Sequence, residues 1–342
     1  MDFQIRNATI HDCSEILELS KLLNLYNLPN NRDLLEKKLL NTEKSFRGEI
    51  EEKAKNEYIF VLEDLSSKKI VGASLIIAKH GTNESPHTYF KVLKKKKESS
   101  TLNIIVEHEI LRAGFDYDGP SEIGALVLKP EYRGHPKKLG KFLSFIRFMY
   151  VAAFRERFEN HIHSELMPLF DEAGNSHLWE ELGKKFTRMK YNKADTLSQS
   201  NKEFITSLFP EGDIYTCMLS QEARDSIGKV GHSTKPVEKM LKSIGFYYSN
   251  MIDPFDGGPH YWAQTDAILP VKNTIELKQS TQKIEFSKKG FLGIMNQSQI
   301  QFFHSEFAMN ENNEIDLNNE KEISQGIKSG SKLYFLENNS GK

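Results

Sequence analysis

The chain has 342 residues, enough for about two domains at roughly 150 residues each. Hydrophobic residues make up 38% and charged residues 27%, which excludes disorder and collagen-like repeats and allows a sizeable core. Lys and Arg total 46 against 47 Asp and Glu, a net charge of −1, which argues against a nucleic-acid binder but not against a local basic loop that grips a small polyanion.

Only Cys13 and Cys217 occur, too few for a disulfide framework or a structural zinc site, as expected of a reducing compartment. The N-terminal MDFQIRNATIHD lacks the apolar core of a signal peptide, and no apolar run is long enough to span a bilayer. A soluble cytoplasmic protein is expected, with no membrane and no nucleic acid among its partners.

In chain order, Gln4–Asn7 reads as a strand, and Thr9 with Asp12 three residues on resembles a capping box. Ile16, Leu19 and Leu23 recur at helical spacing, and Leu34–Leu40 predicts a second helix. YIFVLE (58–63) and IVGASLIIA (70–78) read as strands of a hairpin joined by DLSSKK. Lys94–Lys97 reads as a solvated loop or hairpin tip, with ligand contact as the alternative. EIGALVL (122–128) is a strand, a polar loop follows, and helical periodicity runs from Leu139 to about Phe158. Ile162–Leu166 returns as a strand. Residues 168–231 are helix-rich, with Trp179, Leu182 and Phe186 on one buried face. Ser220–Ile227 and Pro236–Ile244 predict short helices, and Gly245-Phe246 opens another strand. After Asp256-Gly257-Gly258-Pro259 the pattern turns to short alternating runs, IELKQ, KIEFSK, IQFFH and KLYFLE, the mark of a small all-β module.

The most informative unit is EIGALVLKPEYRGHPKKLGKFLSFIRFMYVAAF (122–154), a strand, a loop and a long helix. The loop holds Gly134 and Gly140 with Arg133, Lys137, Lys138 and Lys141. Free N–H groups and the positive end of a helix converge there, an arrangement suited to phosphate or pyrophosphate. A Walker loop is excluded because Phe142 stands where a hydroxyl is required, and no G-x-G-x-x-G fingerprint is present.

A strand ending before E-Y-R, then a glycine-containing basic loop, then a helix, resembles the acyl-CoA-binding core of the GCN5-related N-acetyltransferase superfamily. The resemblance implies pantetheine contacts at Leu126 and Val127 and pyrophosphate contacts at Arg133, Gly134, Lys138, Leu139, Gly140 and Lys141. HSTKPVEKMLKSIGFYY (232–248) resembles the closing helix and strand of the same superfamily. Further blocks narrow the match: YIFVLED (58–64), RFMYVAAFRERF (147–158), DEAGNSHLWEELGKKF (171–186), KADTLS (193–198), IYTCMLSQEARDSIGKV (214–230) and IDPFDGGP (252–259). Over roughly residues 3–260 their order and spacing are similar to those of the bacterial arginine N-succinyltransferase family. That resemblance implies an α/β (α+β) chain: a GCN5-related acyltransferase fold with a strongly bent mixed sheet over residues 1–258, and a small β-barrel-like C-terminal domain over 259–342. It implies transfer of succinyl from succinyl-CoA to the α-amino group of L-arginine in arginine catabolism. The co-substrate is succinyl-CoA or acetyl-CoA, with no permanently bound cofactor, and the partners are small molecules. A homodimer or a dimer with a paralogue is compatible with the tail. An acceptor other than arginine (ornithine or a polyamine) and a non-catalytic acyl-CoA-binding paralogue are the alternatives.

Direct attack on a thioester needs a neutral amine, donors for the oxyanion, and a proton for the leaving thiolate. The family's proton donor is a His just after I-G-x-V. Here Gly231 follows Val230 and the His comes one place later, at His232, so a catalytic His232 competes with a surface-loop reading. The family's E-M-R-G reads Glu165-Leu166-Met167-Pro168, without the arginine, and its glycine-rich segment reads NLYNLP (24–29). Glu165 is a base or a contact for a substrate cation, or else a structural ion pair. Asp171 and Asp256 are candidate substrate contacts, against a helix-start role and a turn-forming role. His161 and His163 alternate on one strand with no third ligand near them in sequence, so no metal site is expected.

Overall fold

A computed structural model of the chain describes residues 2–22, 28–198, 203–280, 282–296, 298–317, 327 and 330–338. The described strands are β1 (Phe3–Asn7), β2 (Glu57–Asp64), β3 (Lys69–Ile77), β4 (His87–Ser99), β5 (Ile104–Asp116), β6 (Ser121–Leu128), β7 (His161–Glu165), β8 (Ile214–Tyr215), β9 (Tyr247–Ile252), β10 (Pro259–Gln264), β11 (Ile275–Gln279), β12 (Ser287–Met295), β13 (Ile300–Met309), β14 (Glu314–Asp316) and β15 (Lys332–Glu337). The helices are α1 (Cys13–Ser20), α2 (Arg32–Arg47), α3 (Leu139–Ala153), α4 (Lys184–Thr187), α5 (Tyr191–Ser198), α6 (Glu203–Leu208), α7 (Gln221–Ser226), α8 (Lys235–Ser243) and α9 (Leu269–Asn273).

Two compact units arise from interleaved stretches of chain. The first takes Met1–Lys79, Ser121–Asn160 and Thr265–Lys342, and the second takes His80–Pro120 and His161–Gln264. In the first, strands run in the order β12-β15-β11-β14-β13-β1-β2-β3-β6, and β12 pairs back onto β13 over Ser287–Met295, so β11 to β15 close into a five-stranded barrel. Leu292, Phe303, Phe307, Met309, Ile315 and Phe335 fill it. The expected capping box is present, with the Thr9 N–H donating to Asp12 Oδ2 at 2.8 Å. Ile16 and Leu19 of α1 and Leu35 and Leu39 of α2 then bury against Ile59, Val61 and Leu75 of β2 and β3. The expected β2–β3 hairpin is present, with one register shift where Leu62 faces Gly72 and Glu63 faces Ile70.

Helix α3 is apolar on nearly every side because it is covered on nearly every side. Its Phe142 ring stacks on Phe291 of β12 with centroids 5.1 Å apart, and the Ser74 hydroxyl of β3 donates to the Leu143 carbonyl. The anion-binding loop predicted from the sequence is thus anchored by a helix wedged between sheet and barrel.

The second unit orders its strands β7-β10-β9-β4-β5-β8. Trp179 stacks on Phe255 at 5.1 Å, and Phe90, Leu178 and Phe209 complete that core. Of the three residues expected on one buried face, Trp179 and Leu182 are buried but Phe186 is 40% exposed, because a π-helical turn at Trp179–Gly183 shifts the helical register before it.

Lys94–Lys97 is neither a loop nor a hairpin tip. It lies within β4, and the turn comes after Ser99. Cross-strand carboxylates make the lysine run tolerable: Lys94 pairs with Glu107 at 2.9 Å, and Lys95 shares Asp213 with Arg112, each at 2.7 Å. Of the alternating runs expected after residue 259, IELKQ, IQFFH and KLYFLE lie in strands, whereas KIEFSK enters β12 only at Ser287. Before them β10 pairs with β7 and β9 in the second unit, and the barrel starts at Ile275. Of the NLYNLP segment, residues 24–27 lie outside the described residues.

Candidate active site

In β6, opposite β3, Ala73 faces Val127 and Leu75 faces Gly124, so Ala125 and Leu126 together oppose Ser74 alone. This is a β-bulge, and Ala125 takes a left-handed φ of 47° to make it. A bulge turns backbone N–H and C=O groups out of the ladder, here at Ala125 and at Leu126, the first of the two residues where the resemblance implies pantetheine. The Arg147 guanidinium of α3 holds the bulge from behind, donating to the Gly124 carbonyl at 3.3 Å and to the Ser144 hydroxyl at 2.8 Å. Burial among neutral oxygens pushes its pKa down to about 9, so it keeps its charge at neutral pH.

After Leu128 the chain makes a single turn at Pro130–Tyr132 and enters the loop. Gly134 has φ 73°, and a Cβ on Gly134 or Gly140 would meet nothing within 4 Å among the described residues. Lys138, also left-handed, is the N-cap of α3, and its side chain caps none of the first-turn N–H groups of Leu139, Gly140 and Lys141. Leu139 itself is buried and contributes backbone only. The basic residues are arranged unequally. Lys137 pairs with Asp2 at 2.6 Å, Arg133 donates to the Leu128 carbonyl at 3.2 Å, and Lys141 donates to Asn338 at 2.7 Å. Burial and neighbouring Lys138 lower the Lys141 ammonium below its ordinary pKa. The loop has the donors, the open space and the charge that a pyrophosphate requires.

The second unit gathers three separate motifs into one brace. The Leu166 N–H donates to Pro259, the Gly231 N–H to Met167, the Gly228 N–H to Gly257 and the Asp253 N–H to Gly258, at 2.8–3.1 Å. Pro168 and Val230 form an isolated antiparallel bridge. Gly231, the residue that displaces the expected histidine, is required by this contact: a Cβ there would stand 2.4 Å from the Pro168 carbonyl oxygen. His232 follows directly and is exposed on a cavity of 1020 Å³ whose wall includes Leu169, Lys229, Lys235, Glu238 and Tyr261. Met167, where the family carries arginine, lies on the same brace as His232.

Asp256 closes the D-G-G-P turn, accepting the Gly258 N–H on Oδ1 at 2.8 Å. Burial, with the Asp253 carboxylate beside it, raises Asp256 well above the usual carboxylate range. Asp171 caps its own loop, accepting the Asn175 N–H at 2.7 Å and the Ala173 N–H at 2.9 Å, and these bonds lower its pKa. Asp256 thus holds the turn weighed against substrate contact in the sequence, whereas Asp171 braces the turn ahead of the helix that begins at His177 and does not start that helix.

Glu165 stands at the end of β7 among histidines that come from distant segments. His260 of β10 is its cross-strand partner, with Nε2 3.4 Å from Oε1, and His87 Nε2 lies 3.5 Å from the same oxygen. His163, two residues back on the same face, has Nε2 3.2 Å from His80 Nδ1. The rings of His80 and His87 stack at 4.6 Å, and those of His87 and His260 at 5.2 Å. Burial pushes the His87 imidazole well below its ordinary pKa, with the neighbouring imidazoles adding to the effect. The third ligand that sequence does not offer near His161 and His163 is thus supplied to His163 by the fold, while His161 stays exposed beside Trp262. Only the two-residue spacing of His163 and Glu165 was visible beforehand. His80, His87, His260, the Ala125 bulge and Arg147 carry no sequence signal of their joint placement.

A family model described as arginine N-succinyltransferase beta subunit matches residues 3–270. The arginine N-succinyltransferase subunit beta of Pseudomonas aeruginosa is 38% identical over 276 residues, 80% of this chain and 80% of its own length. The arginine N-succinyltransferase of Yersinia enterocolitica is 33% identical over 305 residues, 88% of this chain and 87% of its own. Among solved structures, the arginine/ornithine succinyltransferase subunit AI of Pseudomonas aeruginosa has the same fold, with a TM-score of 0.83 at 24% identity over 98% of both chains.

Proposed function

This chain belongs to the arginine N-succinyltransferase family, as its sequence blocks implied, and we propose that it moves a succinyl group from succinyl-CoA to the α-amino group of L-arginine. The observation that carries the reading is the open, uncapped loop Gly134–Lys141 behind a bulged strand, in a chain whose relatives at 33–38% identity bear that name.

Acyl-CoA is the co-substrate, with its pyrophosphate on Arg133, Gly134, Lys138, Gly140, Lys141 and the N–H of Leu139, and its pantetheine along Leu126 and Val127. The neutral amine forms a C–N bond to the thioester carbon, and the oxyanion takes donors from the bulged backbone near Leu126. Collapse breaks the C–S bond. Glu165 receives the proton that the amine gives up, and His232 returns one to the thiolate. Asp171 and Asp256 orient the amine substrate through the loops they hold. The acyltransferase region is residues 1–258, with 259–342 as a supporting β-rich domain. Assembly with a paralogous subunit is supported by the name of the Pseudomonas relative, a beta subunit, with a homodimer as the alternative. Among the described residues no helix is long and apolar enough to cross a membrane.

Methionine at position 167 favours one further reading, in which the acceptor or the acyl donor differs from the family's, with ornithine or acetyl-CoA in place of arginine or succinyl-CoA. Thiol release from succinyl-CoA and from acetyl-CoA, measured against a panel of amino acids and amines, separates the two. Release with succinyl-CoA and arginine is the expected result. No release with any pair overturns both.

A further inference from the structure

The proposed acyl transfer uses Glu165 but none of the histidines around it. We propose that His80, His87, His163 and Glu165 form a binding site for a transition-metal ion of the Zn²⁺ class. One ligand atom from each of the four lies within 4.8 Å of the other three. The His80 Nδ1 to His163 Nε2 separation is 3.2 Å. Two nitrogens held tetrahedrally at about 2.0–2.1 Å from zinc stand roughly 3.3 Å apart, so this pair already has the spacing of bound ligands. The remaining atoms close on the ion by roughly 1.5 Å, within reach of side-chain rotation at His80 and Glu165, which are only partly buried.

His87 supplies an independent sign. Its ring is fully buried, its Nδ1 meets no hydrogen-bond partner among the described residues, and its Nε2 approaches only Glu165 at 3.5 Å, too long for a good hydrogen bond. A buried imidazole with so little to bond to is destabilising unless something coordinates it. The identity of the ion follows from the donor set. Three imidazoles and one carboxylate suit Zn²⁺, Co²⁺, Ni²⁺ or Cu²⁺, whereas Mg²⁺ and Ca²⁺ require oxygen cages and Cu⁺ prefers sulfur. His260, its Nε2 3.4 Å from the same Glu165 oxygen, lies beside the carboxylate on the neighbouring strand.

Coordination would remove Glu165 from the proton-accepting role given to it above, so the bound ion inhibits acyl transfer. That consequence rests on the proposed function, but the binding does not.

The test uses the full-length chain, stripped with a chelator and titrated with Zn²⁺ in competition with a chromophoric chelator. Co²⁺ provides a visible spectrum of the bound ligand field. The wild type is expected to bind one ion per chain. His80→Gln and His163→Gln should each weaken binding by more than about 100-fold, since loss of a mere supporting contact typically costs 10–100-fold. His161→Gln, two residues away on the same face of β7 but exposed and outside the cluster, should bind as wild type. Circular dichroism and thermal melts establish that each variant is folded. Should the buried His163→Gln fail to fold, His80→Gln decides alone. Absence of stoichiometric binding by the wild type, or wild-type affinity in His80→Gln, overturns the site. Zn²⁺ inhibition of thiol release that disappears in His80→Gln would tie the site to Glu165, and binding without inhibition would refute only that link.

Discussion

A methyl group added at Gly134 or Gly140 would meet nothing within 4 Å among the described residues, whereas one added at Gly231 would stand 2.4 Å from the Pro168 carbonyl oxygen and one at Gly258 2.6 Å from that of Leu166. Both pairs of glycines flank proposed site residues, yet they serve different ends. In the loop of the first unit, small residues keep space open for something that is not protein. In the brace of the second unit, they remove space so that two backbone segments can touch. A glycine at a site is therefore evidence for a ligand only when its missing side chain would have pointed into a void.

His232→Ala is the severest way to probe what the brace holds. If His232 protonates the leaving thiolate, kcat should fall by about 100-fold or more, with KM for succinyl-CoA little changed. An unchanged kcat would move that proton to a tyrosine or to water. Gly231→Ala attacks the brace itself. Forcing a Cβ against Pro168 should lower stability by about 1–3 kcal/mol, read as a reduced melting temperature and denaturation midpoint. A wild-type melt would show that the brace yields without cost. Gly140→Ala makes the opposite change in the loop. Alanine in the first turn of α3 should raise stability by about 0.5–1 kcal/mol while raising KM for the acyl-CoA severalfold. A KM that stays put would remove the loop from the binding site.

The smallest expected effect is one of pH. Burial and the nearby Lys289 ammonium push the His304 imidazole of β13 down to about 4, against an ordinary value near 6.5. Its neutral form is favoured in the folded chain, so the associated stability is complete above about pH 6.5 and is lost as the pH falls towards 4. Melts at pH 7, 5 and 4 should show a steeper acid decline in wild type than in His304→Gln. Parallel declines would refute the assignment.

Much of the first unit was legible in the sequence because its signals are local. The Thr9–Asp12 box, the DLSSKK hairpin and the periodicity of α3 each lie within a few residues, and each is present. The anion loop was legible for the same reason, since strand, glycines, lysines and helix are consecutive. The bulge at Ala125 was not, because EIGALVL alternates like an unbroken strand and the irregularity arises from its pairing with β3. The Lys94–Lys97 run misled because its neutralising carboxylates, Glu107 and Asp213, are contributed by other segments. The histidine cluster was illegible in the same sense: positions 80, 87, 163 and 260 become neighbours only once β4, β7 and β10 have found their places.

Strand β1 has two partners of very different age. Its pairing with β2 becomes available soon after Asp64 leaves the ribosome, but its other edge is filled by β13, through Ile5 against Phe302 and Arg6 against Gln301. During vectorial synthesis, every residue of the second unit must be made before that edge can close, and until then β1 presents unsatisfied N–H and C=O groups. The earliest strand translated is among the last completed, which makes the nascent chain, more than the finished protein, the form in need of protection from edge-to-edge association.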